Sequence, residues 1–371
     1  MRILILNWRD IKNPSSGGAE VLTHEIAKRL VSSGNQVVQF SSFFPGALHE
    51  EIIDKVEIIR EGNADIRNLF ASVHFRAFLF YQKEKGKFDV VIDEVHGIPF
   101  FTPWYVKGKK IVLICEVAGE LWRKIFGAFF GLLGRLIEKF YLSFIYKNIL
   151  FLTISDSTKK DLIKDGVNEK DIIVLSMGIN VPRNMGNIEK EKEKTLIFVG
   201  RLTAAKGIEE ALNALKEIVK TNKNVKLWVV GRGEENYVQK LKRMCIQLGI
   251  EKKVTFNGFI SESRKFSLLA RAHLLIHPSL KEGFGLTIPE AGFVGTPVVA
   301  YDSSGLRDIV KNGRNGVLVA ENSPKSLANT AMQILSDDLL YQKLCQGARK
   351  EASKYSWDNT ANTILDILKK V

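Results

Sequence analysis

Residues 281–300 read KEGFGLTIPEAGFVGTPVVA, and this stretch decides the fold. It places Glu282 and Glu290 on either side of a glycine-rich turn. Gly283 and Gly285 let backbone N–H groups approach a ligand closely. A glycine turn that leads into a helix N-terminus favours an anion such as a phosphate. Because two acids repel a phosphate, we expect the glutamates to bind polyhydroxy parts of the same ligand.

The end of this stretch predicts a helix followed by a buried strand. Pro289 suits the first turn of a helix, Gly295 and Pro297 suit its end, and PVVA begins a strand. Short runs rich in Val and Ile recur along the chain, which is typical of parallel strands covered on both faces. These runs are RILILN, QVVQFSS, DVVIDEV, KIVLICEV and ILFLTIS in the first half, and TLIFVG, KLWVVG, VTFNGF, HLLIHPS, PVVA and GVLV in the second.

Helical segments such as VLTHEIAKRLVSSG and GIEEALNALKEIVK alternate with these strands. The charged stretch NMGNIEKEKEK at 184–194 interrupts the alternation and indicates an interdomain linker. We therefore predict an α/β protein with two Rossmann-like domains that face each other across a cleft. The first domain is expected over residues 1–185 and the second over 186–355. The amphipathic segment 356–371 is expected to form a helix that packs back on the first domain.

Composition narrows the class of protein. A length of 371 residues favours two domains, and three cysteines without paired spacing suggest neither disulfides nor a zinc site. We find no secretory signal and no apolar run long enough to span a membrane, and so expect a cytoplasmic protein. The net charge of +13 comes without a nucleic-acid-binding module. Anionic small molecules and anionic lipid are therefore favoured as partners over nucleic acid.

Two loops that follow predicted strands carry residues suited to a phosphate. In NWRDIKNPSSGGAE, Gly17 and Gly18 permit a close backbone approach, although an ordinary turn explains them equally well. The spacing is not G-x-G-x-x-G, which disfavours a dinucleotide-dependent oxidoreductase. In FVGRLTAAKG, Arg201 supplies a planar fork of donors and Lys206 a point charge, a pair suited to a diphosphate. Taken alone, two loop cations of this kind more often face solvent.

Taken in order, these motifs resemble the GT-B glycosyltransferases of family 4, which use nucleotide sugars. The resemblance extends over essentially the whole chain. The matching motifs are GGAE at 17–20, TISDSTKKDL at 153–162, MGIN at 177–180, VGRLTAAKG at 199–207, VVGRGEE at 229–235, VTFNGF at 254–259, HPSLKEGFGLTIPEA at 277–291 and GLRDIVKNGRNGVLV at 305–319.

The resemblance implies a role for each matching residue. Arg201 and Lys206 would hold the donor diphosphate and neutralise charge as the leaving group departs. Glu282 would contact the donor sugar, and Glu290 would accept hydrogen bonds from the ribose hydroxyls. The nucleotide sugar would be a co-substrate, UDP or GDP, with no metal and no cofactor implied. Further donor contacts are expected from Gly17, Gly18, Gly283, Phe284, Gly285 and Leu286.

The acceptor side departs from the family pattern. Many members carry a histidine after the strand that here reads IVLICEVAGELW, whereas this chain has Cys115 and Glu116. Glu116 and the nearby His96 are our candidates for catalytic contacts on the acceptor side. A lone histidine in such a loop is more often structural. Asp93 or Glu94 in the same region would be placed to bind an acceptor hydroxyl.

Residues 121–149 combine large apolar side chains with basic ones. As an interfacial helix this segment would bury Phe and Leu while the basic residues meet anionic headgroups. We expect such peripheral membrane contact, and the alternatives are a core helix or a dimer contact. The apolar residues Phe126, Phe129, Phe130, Leu132, Leu133 and Ile137 are not expected to share one helix face. The basic residues are Arg123, Lys124, Arg135, Lys139 and Lys147.

The sequence therefore predicts a retaining, metal-independent glycosyltransferase of the hexosyltransferase type. Its acceptor would be a sugar, a lipid-linked sugar or a growing cell-surface glycan. The resemblance implies a front-face route, since no carboxylate stands out as the nucleophile of a double displacement. The alternatives are a nucleotide-sugar epimerase or hydrolase of the same fold and a non-catalytic nucleotide-sugar-binding protein.

Overall fold

The computed structural model describes residues 1–65, 68–119, 121–182, 185 and 188–370. It divides into two compact units: unit 1 comprises Met1–Gly178 with Ser356–Val371, and unit 2 comprises Ile179–Tyr355. The division follows Gly178, whereas the sequence suggested a boundary after residue 185. Residues 184, 186 and 187 of the expected linker lie outside the described residues. Among the helices that can be described, none combines the length and apolar character needed to cross a bilayer.

Strands and helices alternate along both units, as buried parallel strands require. The strands are β1 (Arg2–Leu6), β2 (Gln36–Ser41), β3 (Glu50–Ile53), β4 (Val56–Arg60), β5 (Val90–Val95), β6 (Lys109–Ile114), β7 (Leu150–Thr153), β8 (Ile172–Val174), β9 (Lys194–Val199), β10 (Val225–Val230), β11 (Val254–Gly258), β12 (Leu274–His277), β13 (Val298–Ala300) and β14 (Gly316–Leu318). The helices are α1 (Gly18–Ser32), α2 (Val73–Lys83), α3 (Thr102–Tyr105), α4 (Leu121–Phe140), α5 (Asp156–Lys164), α6 (Ile208–Thr221), α7 (Glu235–Gln247), α8 (Glu262–Arg271), α9 (Thr287–Phe293), α10 (Leu306–Ile309), α11 (Pro324–Ser336), α12 (Asp338–Ala352) and α13 (Trp357–Lys370).

Unit 1 contains, among its described residues, an eight-stranded sheet in the order β3-β4-β2-β1-β5-β6-β7-β8. All neighbouring pairs are parallel except the edge pair β3 and β4. Strand β5 is buried along its whole length, since helices cover both faces of the sheet. The carboxyl ends of β1, β5 and β6 therefore meet at one edge, where Asn7, His96 and Cys115 follow their strands.

Unit 2 has a fully parallel sheet in the order β11-β10-β9-β12-β13-β14, counted over the described part of the chain. Strands β9 and β12 are neighbours in the middle of this sheet. Their carboxyl ends carry the loops 200–207 and 278–286. Ligands of open α/β sheets bind at this edge, so the order of strands brings together the two loops that the sequence singled out.

Helix α13 packs against α1 of unit 1. Trp357 is buried against Gly178, where a Cβ would lie 2.2 Å from the Trp357 nitrogen. Arg29 Nε donates to Asp358 Oδ1 at 2.5 Å, and the Thr360 hydroxyl donates to a backbone carbonyl of the same unit. The chain thus leaves unit 1 and returns to it at neighbouring points.

Helix α4 is broken at Gly127, which adopts φ 77° and ψ −177°. Residues eight positions apart in a continuous helix are separated by about 12 Å. Here a Cβ on Gly131 would lie only 2.3 Å from the Cα of Arg123, and one on Gly134 would lie 2.7 Å from the Trp122 ring. The two parts of α4 therefore fold back on each other at Gly127, and both glycines are required by the close contact.

Beyond this turn, α4 presents its apolar side outward and its polar side inward. Arg135 Nη1 donates to Asp165 Oδ2 at 2.7 Å, and Glu138 accepts from the Gly119 N–H at 2.7 Å. The outward residues recur at intervals of three and four, so they form one stripe. Contrary to our expectation, Phe129, Phe130, Leu132, Leu133 and Ile137 share one exposed side, while the Phe126 side chain lies outside the described residues. We call this stripe the α4 patch; it comprises Phe129, Phe130, Leu132, Leu133, Leu136, Ile137, Phe140 and Phe144, each at least 43% exposed.

Candidate functional site

The loops after β9 and β12 are held together by backbone contacts. Gly207 has φ 73°, and a Cβ there would lie 2.0 Å from the Pro278 carbonyl oxygen. The Leu280 N–H donates to the Ala205 carbonyl at 3.0 Å. Only glycine allows this approach, and the contact brings the side chain of Lys206 to the loop that carries Glu282.

Lys206 and Glu282 form an ion pair in which Nζ lies 2.6 Å from Oε1. The two side chains are 24% and 9% exposed. Burial acts to raise the pKa of Glu282, but Lys206 and His277 outweigh it and hold that pKa below its ordinary value. His277 Nε2 lies 3.3 Å from the same oxygen. Glu282 is therefore ionised. Lys206 pairs with this carboxylate, whereas most loop cations face only solvent.

Arg201 begins the same loop and its side chain is exposed. The next residue, Leu202, donates its N–H to the Arg232 carbonyl at 2.8 Å, which ties this loop to the one after β10. The Arg201 guanidinium can therefore reach a ligand without losing a buried contact. Arg201 and Lys206 thus both follow β9, but Lys206 is more buried than Arg201 and pairs with Glu282.

Glu290 lies in the first turn of α9 and is 8% exposed. Its Oε1 is 2.9 Å from Lys265 Nζ, which projects from α8. Its Oε2 is buried and accepts no hydrogen bond from the described residues. Burial raises the pKa of Glu290, and the Lys265 cation opposes that rise. Glu290 thus has one carboxyl oxygen held by Lys265 and one buried oxygen without a partner among the described residues.

The turn between the two glutamates is shaped by glycine. Gly285 has φ 87°, and a Cβ there would lie 3.2 Å from Leu306 Cδ2 and 3.8 Å from His277 Nε2. Phe284 is buried with its ring edge-on to Tyr355 at 5.5 Å between centroids. Gly283 precedes this anchored ring, and Leu286 is the cap residue of α9. Their expected contact with phosphates stays a prediction.

In unit 1, Gly17 caps α1 and Gly18 is its first residue. The Gly17 N–H donates to Glu20 Oε2 at 2.6 Å, and Glu20 is buried. The helix start therefore already has a carboxylate partner from its own first turn. The expectation that Gly17 and Gly18 approach a donor stays a prediction.

His96 follows β5 and pairs with the buried carboxylate of Glu94, with Nε2 3.0 Å from Oε1. The other Glu94 oxygen accepts from Asn7 Nδ2 at 2.6 Å and from the Thr23 hydroxyl. The imidazole also stacks on Trp8, with 5.4 Å between ring centroids. This histidine is anchored at the carboxyl edge of the sheet by Glu94 of β5 and by Trp8, which follows β1.

Electrostatics favour a charged His96. Burial acts to lower its pKa, but Glu94, and more weakly Glu20 and Glu116, raise the pKa above its ordinary value. Burial raises the pKa of Glu94 in turn, and His96 opposes that rise. Glu116 is half-buried beside this pair, and burial raises the pKa of the neighbouring Cys115 thiol. His96 and Glu116 thus lie in one acidic cluster.

The expectation that Asp93 or Glu94 binds an acceptor directly is wrong. Asp93 is 0% exposed and accepts from the Thr102 hydroxyl at 2.7 Å and from the Tyr146 hydroxyl. Glu94 is 1% exposed and is saturated by the contacts described above. Because β5 is buried on both faces, both carboxylates lie inside unit 1. There they accept hydrogen bonds from residues near the carboxyl edge of the sheet.

The basic residues of the α4 segment do not act as one set. Arg135 is committed to Asp165 and Glu138 and cannot meet a headgroup. Arg123, Lys139 and Lys147 are exposed, and the side chain of Lys124, like that of Phe126, lies outside the described residues. Of the five basic residues that we expected to meet anionic headgroups, Arg135 is therefore excluded by its ion pairs.

The sequence did not reveal two residues that hold the glutamates. His277 ends β12 directly before Pro278, and the rule that ligands bind at strand ends points to such a position. Lys265 lies in the charged segment ESRKF, where nothing in the local pattern distinguishes it from a solvated helix residue. Only the packing of α8 on α9 brings Lys265 to Glu290.

Comparison with known proteins identifies the family to which the chain is similar. A family model for glycosyltransferase family 4 matches residues 16–183, and one for glycosyl transferases group 1 matches residues 182–351. An uncharacterised glycosyltransferase of Methanocaldococcus jannaschii is 34% identical over 247 residues. That alignment covers 62% of this chain and 62% of the relative, less than two thirds of its length.

Solved structures share the whole fold at low sequence identity. HepE of Anabaena, solved in complex with UDP-glucose, has a TM-score of 0.79 and 19% identity over 100% of both chains. WaaG, a glycosyltransferase involved in lipopolysaccharide biosynthesis, has a TM-score of 0.80 and 18% identity over 99% of both chains. The two-domain α/β fold predicted from the sequence is confirmed.

Proposed function

This chain belongs to the family 4 glycosyltransferases of the GT-B fold, and we propose that it transfers a hexose from a nucleoside diphosphate sugar to an acceptor. The observation that carries the proposal is the Lys206–Glu282 pair at the carboxyl ends of β9 and β12. It sets a cation suited to phosphate beside an ionised carboxylate suited to sugar hydroxyls. A nucleotide sugar contains both groups in one molecule.

The ammonium group of Lys206 has N–H donors that remain available to bind the diphosphate. An ammonium group carries three N–H donors, and one of them is used by Glu282. The others can bind phosphate oxygens together with the exposed guanidinium of Arg201. Two cations of this kind stabilise the negative charge that develops on the departing diphosphate. We therefore propose transfer that needs no metal ion and no cofactor.

Glu282 serves the donor sugar in this proposal. An ionised carboxylate only accepts hydrogen bonds, so sugar hydroxyls donate to it. Lys206 and His277 both withdraw charge from its Oε1, which makes Glu282 a weak nucleophile. We therefore propose a front-face route with retention. The bond between the anomeric carbon and the phosphate oxygen breaks, the acceptor oxygen bonds on the same face, and its proton passes to the departing phosphate.

Unit 1 would hold the acceptor through His96 and Glu116. The Nε2 of His96 is occupied by Glu94, so Nδ1 is the ring atom left for a ligand. The imidazole is held in one orientation by Glu94 and Trp8, which suits it to fix an acceptor hydroxyl. Glu116 offers a carboxylate in the same cluster. This pair would take the place of the family histidine.

The donor proposal is tested by ligand-induced stabilisation of the full chain. UDP, GDP and their hexose conjugates are added singly, and UDP-glucose is the first choice because HepE binds it. A ligand at 100 times its dissociation constant adds about 2.7 kcal/mol to the free energy of unfolding. No stabilisation by any nucleotide would contradict the proposal. Nuclear magnetic resonance of the product then separates transfer with retention from epimerisation and from hydrolysis, which needs no acceptor.

We further propose that the α4 patch contacts an anionic membrane and that the acceptor is lipid-linked. A surface helix normally turns its apolar side inward, and α4 does the reverse. Phe129 and Phe130 are 76% and 66% exposed beside the turn at Gly127. The exposed cations Lys139 and Lys147 lie in the same segment as this patch, and each basic residue contributes about 1 kcal/mol near anionic lipid. Contact of this strength is peripheral and reversible.

Vesicle sedimentation tests this contact. Binding should increase with the fraction of anionic lipid and decrease with salt. The variant Phe129→Ser/Phe130→Ser should lose binding while it keeps nucleotide affinity. Leu339→Ser is a matched control, since Leu339 is 86% exposed on unit 2. Indifference to anionic vesicles at low salt would reject the membrane, and a dimer that dissociates in the double variant would assign the patch to a second copy.

A further inference from the structure

We propose that Lys265 is a positioning residue of the donor site, which holds one oxygen of Glu290 so that the other oxygen receives the ribose hydroxyls. The inference rests on the proposed function for the identity of the ligand. It adds a residue outside the motif that carries the two glutamates. It also predicts a dependence on pH that a merely structural lysine would not produce.

Lys265 is largely buried, with a side chain that is 13% exposed. Its Nζ lies 2.9 Å from Glu290 Oε1 and 2.8 Å from Glu262 Oε2. Glu262 is 64% exposed and lies on the same helix as the lysine. The ring of Phe266 lies 5.4 Å from the ammonium group. The cation is thus shared between a buried and an exposed carboxylate, and only the buried one faces the candidate site.

The two oxygens of Glu290 have different surroundings. Oε1 is taken by Lys265, whereas Oε2 is buried and accepts no hydrogen bond from the described residues. A buried acceptor without a partner is costly, and a bound hydroxyl group would satisfy it. An ionised carboxylate offers acceptors only, which matches the two O–H donors of a ribose diol. A protonated carboxyl group would present its own O–H to the same hydroxyls.

The charges around Glu290 explain why a cation is needed. Burial raises its pKa, Lys265 lowers it, and Glu262 raises it slightly. Helix α12 also packs on α9, but its Arg349 donates to the Val294 carbonyl at the other end of α9. Among the described residues, Lys265 is thus the cation that acts on Glu290. Without it, burial and Glu262 act unopposed, so Glu290 takes up a proton at higher pH.

Calorimetric titration of the full chain with UDP and GDP between pH 6 and 9 tests the inference. The variants are Lys265→Met, Lys265→Arg, Glu290→Gln and the double variant Lys265→Met/Glu290→Gln. Lys28→Met is the matched control, because Lys28 Nζ lies 2.7 Å from the buried carboxylate of Glu25 on α1 of unit 1. The 2′,3′-dideoxy forms of both nucleotides report on the ribose hydroxyls alone.

We expect Lys265→Met to weaken nucleotide binding about 10- to 100-fold at pH 7, the range expected for hydrogen bonds to a charged group. The loss should shrink as pH rises, because the buried carboxyl group then ionises without help. Lys265→Arg should bind nearly as the parent does, and the double variant should bind as Glu290→Gln does. Dideoxy nucleotides should show little loss in any variant.

Three results would overturn the inference. They are an unchanged affinity in Lys265→Met, a loss that is equal at every pH, and a loss that is equal for dideoxy nucleotides. If Lys265→Met does not fold, Lys265→Gln carries the same test, since it keeps a donor and removes the charge. A parent protein that binds no nucleotide would reject the proposed function instead, so the two failures are distinguishable.

Discussion

Replacing Lys206 with alanine should destabilise unit 2 as well as weaken donor binding. The substitution removes the cation that lies 2.6 Å from the buried carboxylate of Glu282. Removing one partner of a fully buried ion pair costs about 3–5 kcal/mol. Lys206 is 24% exposed, and His277 remains 3.3 Å from Glu282. We therefore expect a smaller loss, about 1–3 kcal/mol, which lowers the melting temperature by roughly 2–10 °C.

The loss should depend on pH in a defined direction. Lys206 lowers the pKa of Glu282 in the folded state. The resulting stability is fully present above the ordinary glutamate pKa and is lost as pH falls through the folded-state value. In Lys206→Ala, His277 alone opposes the effect of burial on the pKa of Glu282, so Glu282 takes up a proton more easily. The difference between parent and variant should thus be largest near pH 7 and shrink below about pH 4.

Thermal unfolding of the full chain between pH 3 and 8 measures this difference. Lys220→Ala is a suitable control, because Lys220 and Glu217 form a helix pair with side chains 57% and 34% exposed. Exposed pairs of this kind contribute little to stability. An unchanged melting temperature in Lys206→Ala, or a difference that is constant with pH, would refute the assignment of Glu282 as a buried carboxylate held by Lys206.

Three further predictions address separate parts of the molecule. Arg201→Ala should weaken binding of free UDP or GDP about 10- to 100-fold in calorimetric titration, with an unchanged melting temperature because the side chain is exposed. Glu290→Gln should weaken free-nucleotide binding, whereas Glu282→Gln should leave it nearly unchanged and slow transfer; equal binding losses would count against these roles. Gly134→Val should force Trp122 out of its contact and shift its fluorescence to the red, and an unshifted spectrum would contradict the packing described for α4.

The fold was predictable because its strands are buried on both faces. Parallel strands of this kind appear as continuous apolar runs, and RILIL and TLIFV are recognisable without any partner. The edge pair β3 and β4 was missed, since EEII and VEIIR lie at the margin of the sheet and mix charged with apolar residues. Local pattern identifies strands that are surrounded on both faces, and it fails where one face is open.

The structure brings together Lys206 and Glu282 of the predicted donor site, whereas the burial and the ion pairing of these residues were not predicted. Lys206 and Glu282 lie 76 positions apart in the chain, so their pairing depends on β9 and β12 being neighbours in the sheet. The same limit applied to Lys265 and to Arg135, whose partners come from other helices or loops. Sequence spacing identifies residues whose side chains suit a ligand. The burial of those side chains and their contacts follow from the tertiary fold.

The return of α13 to unit 1 has a consequence for folding during synthesis. Residues 179–355 emerge from the ribosome between the two parts of unit 1, which takes about 10–40 s at typical elongation rates. During that interval the side of α1 against which α13 later packs is uncovered. Unit 2, being continuous in the chain, can complete its core first. The nascent protein thus carries a temporary apolar surface on unit 1, and a chaperone or the membrane has time to bind it before the last helix docks.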